Sequence, residues 1–324
     1  MSPIRSIAIL GAGGIGCLLG ASLRRQGAAV TLVARPRHVE AIAAGGLTVE
    51  EPSGEAWSAD VVAVSEIAAV GEVDLTVLTS KSYDTASILD ELSRDGLPST
   101  RVVCAQNAVS NEAQAARLFP EVAAGVVRFG ADMKAPGVVS ARGARRFYLG
   151  SYPDGMTTWI EEFADLCREA GFEVETTEDV MAAKWHKLIL NCESALSAVC
   201  DVRSDQMATD ADALMLRRRL RDEAVQVLAA AGVRHLPVER VERVEPPAGH
   251  RPSYASTWYD LHLERHRVET PWINGEIIWR GIKAGIPTPV NSLLSLLCME
   301  MSDEGRQPGH YSLQEVIDRL PETG

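Results

Sequence analysis

No two cysteines stand at C-x-x-C spacing in this chain. Its six cysteines, at 17, 104, 167, 192, 200 and 298, are scattered through 324 residues and do not cluster with histidine. That speaks against a thioredoxin-type redox pair and against a zinc site of the usual spacing, so no metal is expected. Most of them sit in apolar stretches, as buried free thiols do, and this suits a reducing, cytoplasmic setting. Long apolar runs are missing too: none reaches the ~18 residues of a membrane span. The apolar stretch 7–23 is interrupted by five glycines and preceded only by Arg5, so it does not read as a secretory leader. Positive charge is in deficit, with 32 Lys and Arg against 44 Asp and Glu, a net charge of -12. Such a surface repels nucleic acid and anionic membrane, and neither is expected as a partner. A pocket can still be locally basic, which leaves room for a small anionic substrate.

Apolar material is ample. Hydrophobic residues make up 46% and charged residues 23%, enough for a core in each of about two domains. The first half alternates strand and helix. Strands are predicted at 7–10, 29–34, 60–64, 74–79, 101–106 and 125–128, with helices over 83–92 and 111–119. This alternation builds a parallel sheet covered by helices on both faces. Closely spaced short strands over 137–152, as in hairpins at a sheet edge, lead to a helix over 157–170 and a strand over 172–176. Beyond Asp179 only helical periodicity remains, over 180–199, 205–231, 254–268, 271–284 and 292–301. Ser312 and Glu315 make a capping box for one last short helix. The expected architecture is an α/β Rossmann-type domain over residues 1–178 followed by an all-α domain over 179–324. No internal repeat or low-complexity segment interrupts it.

The first strand runs into Gly11-Ala12-Gly13-Gly14-Ile15-Gly16, a G-x-G-x-x-G loop. Gly11 serves the tight turn, Gly13 the approach of backbone to a pyrophosphate, and Gly16 the packing of helix on strand. The helix that follows offers unpaired N–H groups and the positive end of its dipole to phosphate. Alone the loop is a weak signal, but here it follows a strand and opens a helix, the context it needs. NAD enzymes place Asp or Glu at the end of the second strand to bind the ribose hydroxyls. This chain has Val33-Ala34-Arg35-Pro36-Arg37-His38 instead. A guanidinium there holds a 2'-phosphate, so the expected cofactor is NADPH, unless Arg35 is simply a solvated loop residue.

A helix in the second half carries Lys184, Lys187 and Asn191 along one side, at spacings of three and four. Lysine and asparagine are costly to bury in an apolar helix without a task, and crowded ammonium groups give up protons more readily. A proton donor is one reading; lysines snorkelling to solvent are the other. Glu269 opens a helix ahead of Pro271, where a carboxylate suits the dipole whether or not it has a further role.

Taken in order, these residues resemble the ketopantoate reductases (2-dehydropantoate 2-reductases) over nearly the whole chain. The resemblance rests on the Gly11–Gly16 loop with Arg35, on Ser80-Lys81, on Gln106-Asn107 with Asn111-Glu112, and on Ala135-Pro136-Gly137-Val138-Val139. It continues through Lys184-Trp185-His186-Lys187-Leu188 with Asn191, through Glu269 with Ile273-Asn274-Gly275, and through Gly285-Ile286-Pro287-Thr288-Pro289-Val290-Asn291. It implies reduction of a small 2-oxo acid, most simply 2-dehydropantoate, in a cleft between the two domains. Lys187 would contact the ketone oxygen and protonate the nascent alkoxide, and Glu269 would orient the substrate. Gly14 and Ile15 would join Gly11, Gly13, Gly16 and Arg35 in holding the cofactor, with Lys81 and Asn107 on the nicotinamide side. Asn191, Tyr254 and Thr257 would meet the substrate.

The chain also departs from the family pattern. Ala195 stands where pantoate-forming members usually carry asparagine. Tyr254, Ser256 and Thr257 stand where such members tend to have an asparagine and then paired serines that help hold the carboxylate; Thr257 keeps a hydroxyl, Tyr254 adds bulk, and Ala108 replaces a glycine. These changes keep open a related reductase for another branched or aromatic 2-oxo acid, of the D-2-hydroxyacid dehydrogenase kind. A non-catalytic NADPH sensor is a further alternative, since fold alone does not assign function. A homodimer through the helical half is compatible with the sequence, though no seam of unusual apolarity marks it.

Overall fold

The computed structural model describes residues 3–96, 99–239 and 253–321. The chain divides into two units, Met1–Lys184 and Trp185–Gly324, and the division falls inside one helix, Val180–Asn191.

The first unit opens with β1 (Ser6–Leu10), α1 (Gly14–Arg25), β2 (Ala29–Val33), α2 (Pro36–Gly45), β3 (Leu47–Glu50), β4 (Ala56–Ala59) and β5 (Val62–Val64). It continues with β6 (Leu75–Leu78), α3 (Thr85–Asp95), β7 (Arg101–Cys104), α4 (Asn111–Ala115), β8 (Glu121–Ala135), β9 (Val138–Ser151), α5 (Thr158–Glu169) and β10 (Glu173–Thr176). One sheet runs in the order β4-β3-β9-β8-β7-β6-β1-β2-β5, with β10 paired to β9. From β8 to β5 every neighbouring pair is parallel. The chain moves outward from β1 to β2 and β5, then returns to place β6 on the other side of β1. That reversal opens a crevice at the carboxyl ends of β1 and β6, the usual ligand position in such sheets.

The burial of β1 explains why the sheet is covered twice. Ile7 and Ile9 enter one apolar cluster with Cys17, Leu18 and Phe163, whereas Ala8 and Leu10 enter another with Leu89, Leu92 and Phe119. A strand whose two faces are both apolar is stable only between two helical layers. The predicted α/β class is therefore realised, although two details differ. The short strands β3 and β4 pair with each other and extend the sheet beyond β9; their mixed polarity hid them. The expected cluster of short strands near 137–152 is one long antiparallel hairpin of β8 and β9. Its outer part is half-exposed and alternates polar with apolar residues.

In the second unit, α6 (Val180–Asn191) is followed by α7 (Glu193–Cys200), α8 (Gln206–Thr209), α9 (Ala211–Ala230), α10 (Ser256–His262), α11 (Thr270–Ala284), α12 (Pro289–Asp303) and α13 (Leu313–Asp318). The described part of this unit is all helical, as expected. Helices read as continuous are broken by local chemistry. Asp210 caps α9 by accepting the N–H groups of Asp212 and Ala213 at 3.0 and 2.9 Å, so a short α8 stands apart from it. Glu264 and His266 adopt positive φ and end α10 well before 268. The capping box forms, with Ser312 Oγ accepting from the Glu315 N–H at 3.2 Å.

A buried amide web ties three of these helices to the junction of α6 and α7. Asn291, fully buried on α12, donates to the Leu220 carbonyl (3.2 Å) and to Glu223 Oε2 (2.7 Å) on α9. Glu223 also accepts the N–H groups of Val290 and Asn291 at 2.8 and 3.0 Å, capping α12 from a neighbouring helix. Asn274 on α11 donates to Asn291 Oδ1 (3.0 Å) and to the Cys192 carbonyl (3.1 Å), at the junction of α6 and α7. Replacing Asn291 by alanine leaves several of these groups buried without partners. Asn291→Ala is expected to lower stability by about 2–4 kcal/mol, measured by urea unfolding; a loss below ~0.5 kcal/mol would show the web to be dispensable.

Candidate active site

The turn after β1 is shaped by contacts that leave no room for side chains. Gly11 has φ +112°, and a Cβ there would lie 2.5 Å from the Ser80 nitrogen. At Gly16 a Cβ would overlap the Gly11 carbonyl and come within 2.6 Å of Thr79 Oγ1. Gly14 is required for a reason the sequence hides, since its Cβ would collide with the Ala131 carbonyl of β8. Gly13 differs: it is exposed, and a Cβ there would meet nothing within 4 Å. The protein itself does not demand a glycine at 13. The open space lies at the N-cap of α1, where N–H groups lack intrahelical acceptors. That is the cradle a pyrophosphate needs, so the residues present fit a dinucleotide.

Three other expected cofactor residues follow β2, β6 and β7, of which β2 and β6 flank β1. Arg35 is the N-cap of α2, two residues past the end of β2, and its side chain is exposed. Lys81 follows β6 and Asn107 follows β7, both half-buried. Strands β7, β6, β1 and β2 are consecutive in the sheet, so the Gly11–Gly16 turn, Arg35, Lys81 and Asn107 share one edge. A polar web backs that edge. The Asn107 carbonyl accepts from Ser82 Oγ (3.1 Å) and Asn111 Nδ2 (2.6 Å), while Gln106 Nε2 donates to Ser80 Oγ (3.0 Å) and Thr85 Oγ1 (2.8 Å). Ala108, which stands where the family favours glycine, has φ +63°. Left-handed backbone at this position accounts for that preference, and the alanine carries the steric cost.

Lys184 and Lys187 part company. Lys184 is buried in the first unit, where its ammonium pairs with the Glu112 carboxylate and donates to the Cys104 carbonyl at 3.2 Å. Glu112 is itself fully buried. The ammonium at 184 therefore has a neutralising partner, and like-charge crowding along the helix is not the arrangement found. Nothing in the local sequence marks two residues 72 positions apart as a pair.

In the second unit Lys187 and Asn191 lie on successive turns of α6, both half-buried. Glu269 is buried at the N-cap of α11. The bond from Asn274 to the Cys192 carbonyl brings α11 to the carboxyl end of α6, beside Asn191. Thr257 is buried near the start of α10. The Tyr254 ring stacks on Trp258 (centroids 3.9 Å apart, 7° between planes), and Trp258 Nε1 donates to Asp201 Oδ1 at 2.6 Å. Tyr254 thus sits by the carboxyl end of α7, whereas Asn191 precedes its first turn. The eight residues of α7 span roughly 12 Å. Ala195 is fully buried in the apolar core of this unit. No helix among the described residues is long and apolar enough to cross a membrane.

Breaking a buried ion pair is costly because it strands a charge away from water. Lys184→Ala is expected to cost about 3–5 kcal/mol of stability. Removing both charges with Lys184→Met and Glu112→Leu together should recover most of it. Denaturant unfolding of the three proteins measures this, and a single variant within ~1 kcal/mol of wild type would contradict it.

Comparison with known proteins places this geometry. Ketopantoate reductase PanE/ApbA matches residues 7–154, and ketopantoate reductase PanE/ApbA C terminal matches residues 179–301. A 2-dehydropantoate 2-reductase from Pyrococcus horikoshii is 32% identical over 89% of this chain and 94% of its own length. The crystal structure of a PanE/ApbA family ketopantoate reductase from Ralstonia eutropha JMP134 superposes with a TM-score of 0.82 at 34% identity, covering 93% of this chain and 99% of that one. A D-mandelate dehydrogenase solved with NADH and anilino(oxo)acetate shares the fold, with a TM-score of 0.78 at 23% identity over 93% of this chain and 99% of that one. With both halves matched and the relatives spanning most of its length, the chain belongs to the ketopantoate reductase family, oxidoreductases acting on a CH-OH group.

Proposed function

We propose that this chain reduces the ketone of a small 2-oxo acid to the alcohol with NADPH as cofactor, and that 2-dehydropantoate is its substrate. The observation that carries the cofactor choice is the position of Arg35. It lies two residues past the end of β2, the strand beside β1, where a carboxylate would select NAD. A guanidinium there pairs with a 2'-phosphate. Gly11, Gly13, Gly14, Ile15 and Gly16 would hold the pyrophosphate, with Lys81 and Asn107 toward the nicotinamide. When bound, the reduced nicotinamide supplies the hydride.

The chain's own residues have the remaining tasks. Negative charge grows on the ketone oxygen as the carbon is reduced. The Lys187 ammonium is assigned to stabilise that oxygen and give it a proton. Glu269 and Asn191 would orient the substrate, with Thr257 and Tyr254 shaping what it can be. Lys184 is excluded from the donor's role by its bond to Glu112. The choice of 2-dehydropantoate rests on the relatives, named 2-dehydropantoate 2-reductases, and an acidic surface does not exclude a small anion, because a pocket can be locally basic. Six free cysteines suit a reducing, cytoplasmic setting.

A second reading concerns only the acid. Ala195 offers no amide and lies in apolar core, and Tyr254 adds a stacked aromatic ring. The missing amide and the added ring are departures from the family pattern that would suit a bulkier or aromatic 2-oxo acid. A panel of 2-oxo acids assayed with NADPH separates the readings: highest kcat/KM for 2-dehydropantoate supports the first, and highest kcat/KM for an aryl 2-oxo acid supports the second.

Lys187→Ala is expected to retain NADPH binding while turnover falls about a hundred- to ten-thousand-fold. Turnover near the wild-type value would remove Lys187 from the mechanism. Arg35→Asp is expected to shift preference toward NADH, read as the ratio of kcat/KM for the two dinucleotides; an unchanged ratio would take Arg35 out of the cofactor site.

A further inference from the structure

Behind the Gly11–Gly16 turn, groups from three separate segments of the first unit form a continuous chain of hydrogen bonds. The Gly137 N–H donates to His38 Nδ1 at 2.8 Å. With Nδ1 accepting, the ring proton belongs on Nε2, which lies 3.1 Å from Cys17 Sγ. The Cys17 thiol donates to the Ala12 carbonyl at 3.3 Å. In this order each donor has an acceptor and each group is used in one direction. Burial pushes the Cys17 thiol up to about 12 and holds the His38 imidazole below its ordinary value. Both groups are therefore neutral near pH 7, as the chain requires. A thiolate would have no proton for Ala12, and an imidazolium no lone pair for Gly137.

The location of Ala12 gives this chain a consequence. Its carbonyl belongs to the turn itself and lies outside the ladder of α1, whose first bond runs from the Cys17 N–H to the Gly13 carbonyl at 2.9 Å. A flip of the peptide joining Ala12 and Gly13 exchanges C=O and N–H. It would turn a partial negative charge toward the helix N-terminus, where an anion is otherwise favoured. The thiol holds that oxygen inward. His38 also donates its backbone N–H to the Arg35 carbonyl at 2.8 Å, so one residue anchors both the turn and the segment that carries Arg35.

We propose that Cys17 and His38 are positioning residues for the dinucleotide, holding the Ala12 carbonyl turned away from the phosphates and fastening the turn to the Arg35 segment. This rests on the cofactor reading above and extends it to two residues that touch no reacting atom. It also assigns a task to Gly137, in the turn between β8 and β9, as the donor that sets the imidazole tautomer.

The test uses the contrast between Cys17→Ser and Cys17→Ala in the full chain. Both remove the sulfur from a fully buried site, but only serine keeps a donor for Ala12 and an acceptor for His38. NADPH is titrated by the change in nicotinamide fluorescence, with melting temperature recorded alongside. The serine variant is expected to bind within about two-fold of wild type, and the alanine variant roughly three- to ten-fold more weakly. The loss should appear in KM for NADPH rather than in kcat. His38→Asn keeps an acceptor for Gly137 but loses the donor to Cys17; it should match the alanine variant and serves in its place if that variant does not fold. Equal affinity of the serine and alanine variants, whether high or low, overturns the proposal. Wild-type protein that binds neither NADPH nor NADH would instead overturn the cofactor assignment, and the positioning role with it.

Discussion

The first unit depends on how closely three backbone segments approach at the end of β1. Gly11 lies against the Ser80 backbone, Gly16 against the Gly11 carbonyl, and Gly14 against Ala131 of the β8–β9 hairpin. Each approach is closer than any Cβ permits. Together they set where α1 begins, and so where its unpaired N–H groups point. The switch in strand order puts the ends of β6 and β7 beside this turn, and the polar web around Gln106 and Asn111 holds them there. A turn of this kind is a property of backbone, built from what the side chains leave out.

Burial divides the family's recurring residues into two kinds. Arg35, Lys81, Asn107, Lys187 and Asn191 keep exposed or half-exposed side chains. Glu112, Lys184, Asn274 and Asn291 are buried and largely occupied with one another or with backbone carbonyls. In the interior a single missing partner strands a charge or a polar group, so such residues resist substitution as strongly as catalytic ones do. Glu269 belongs by burial to the second set. It is buried at a helix start, a position that suits a carboxylate on electrostatic grounds and leaves its catalytic assignment to kinetics.

The α/β class and the helical second half were legible because both rest on periodicity. Alternate residues of β1 feed two cores, and a helix such as α5 repeats its apolar positions with helical spacing. What escaped were features decided by local competition. The short strands β3 and β4 pair with each other, and only β3's pairing with β9 joins them to the sheet. The break between α8 and α9 depends on one capping carboxylate, Asp210. The length of the β8–β9 hairpin was hidden because its outer half is only partly covered.

The sequence by itself determined the glycine turn, the arginine after the second strand, the capping box at Ser312 and the order of helices, since each is set by residues near one another along the chain. Only the tertiary structure decided that Lys184 pairs with Glu112, that Gly14 answers to a hairpin strand, and that the buried Cys17 thiol is hydrogen-bonded to His38 and Ala12. Those outcomes turn on contacts between residues tens of positions apart. Hydrogen bonds and ion pairs of that reach are directional and short, and periodicity along the chain carries no record of them.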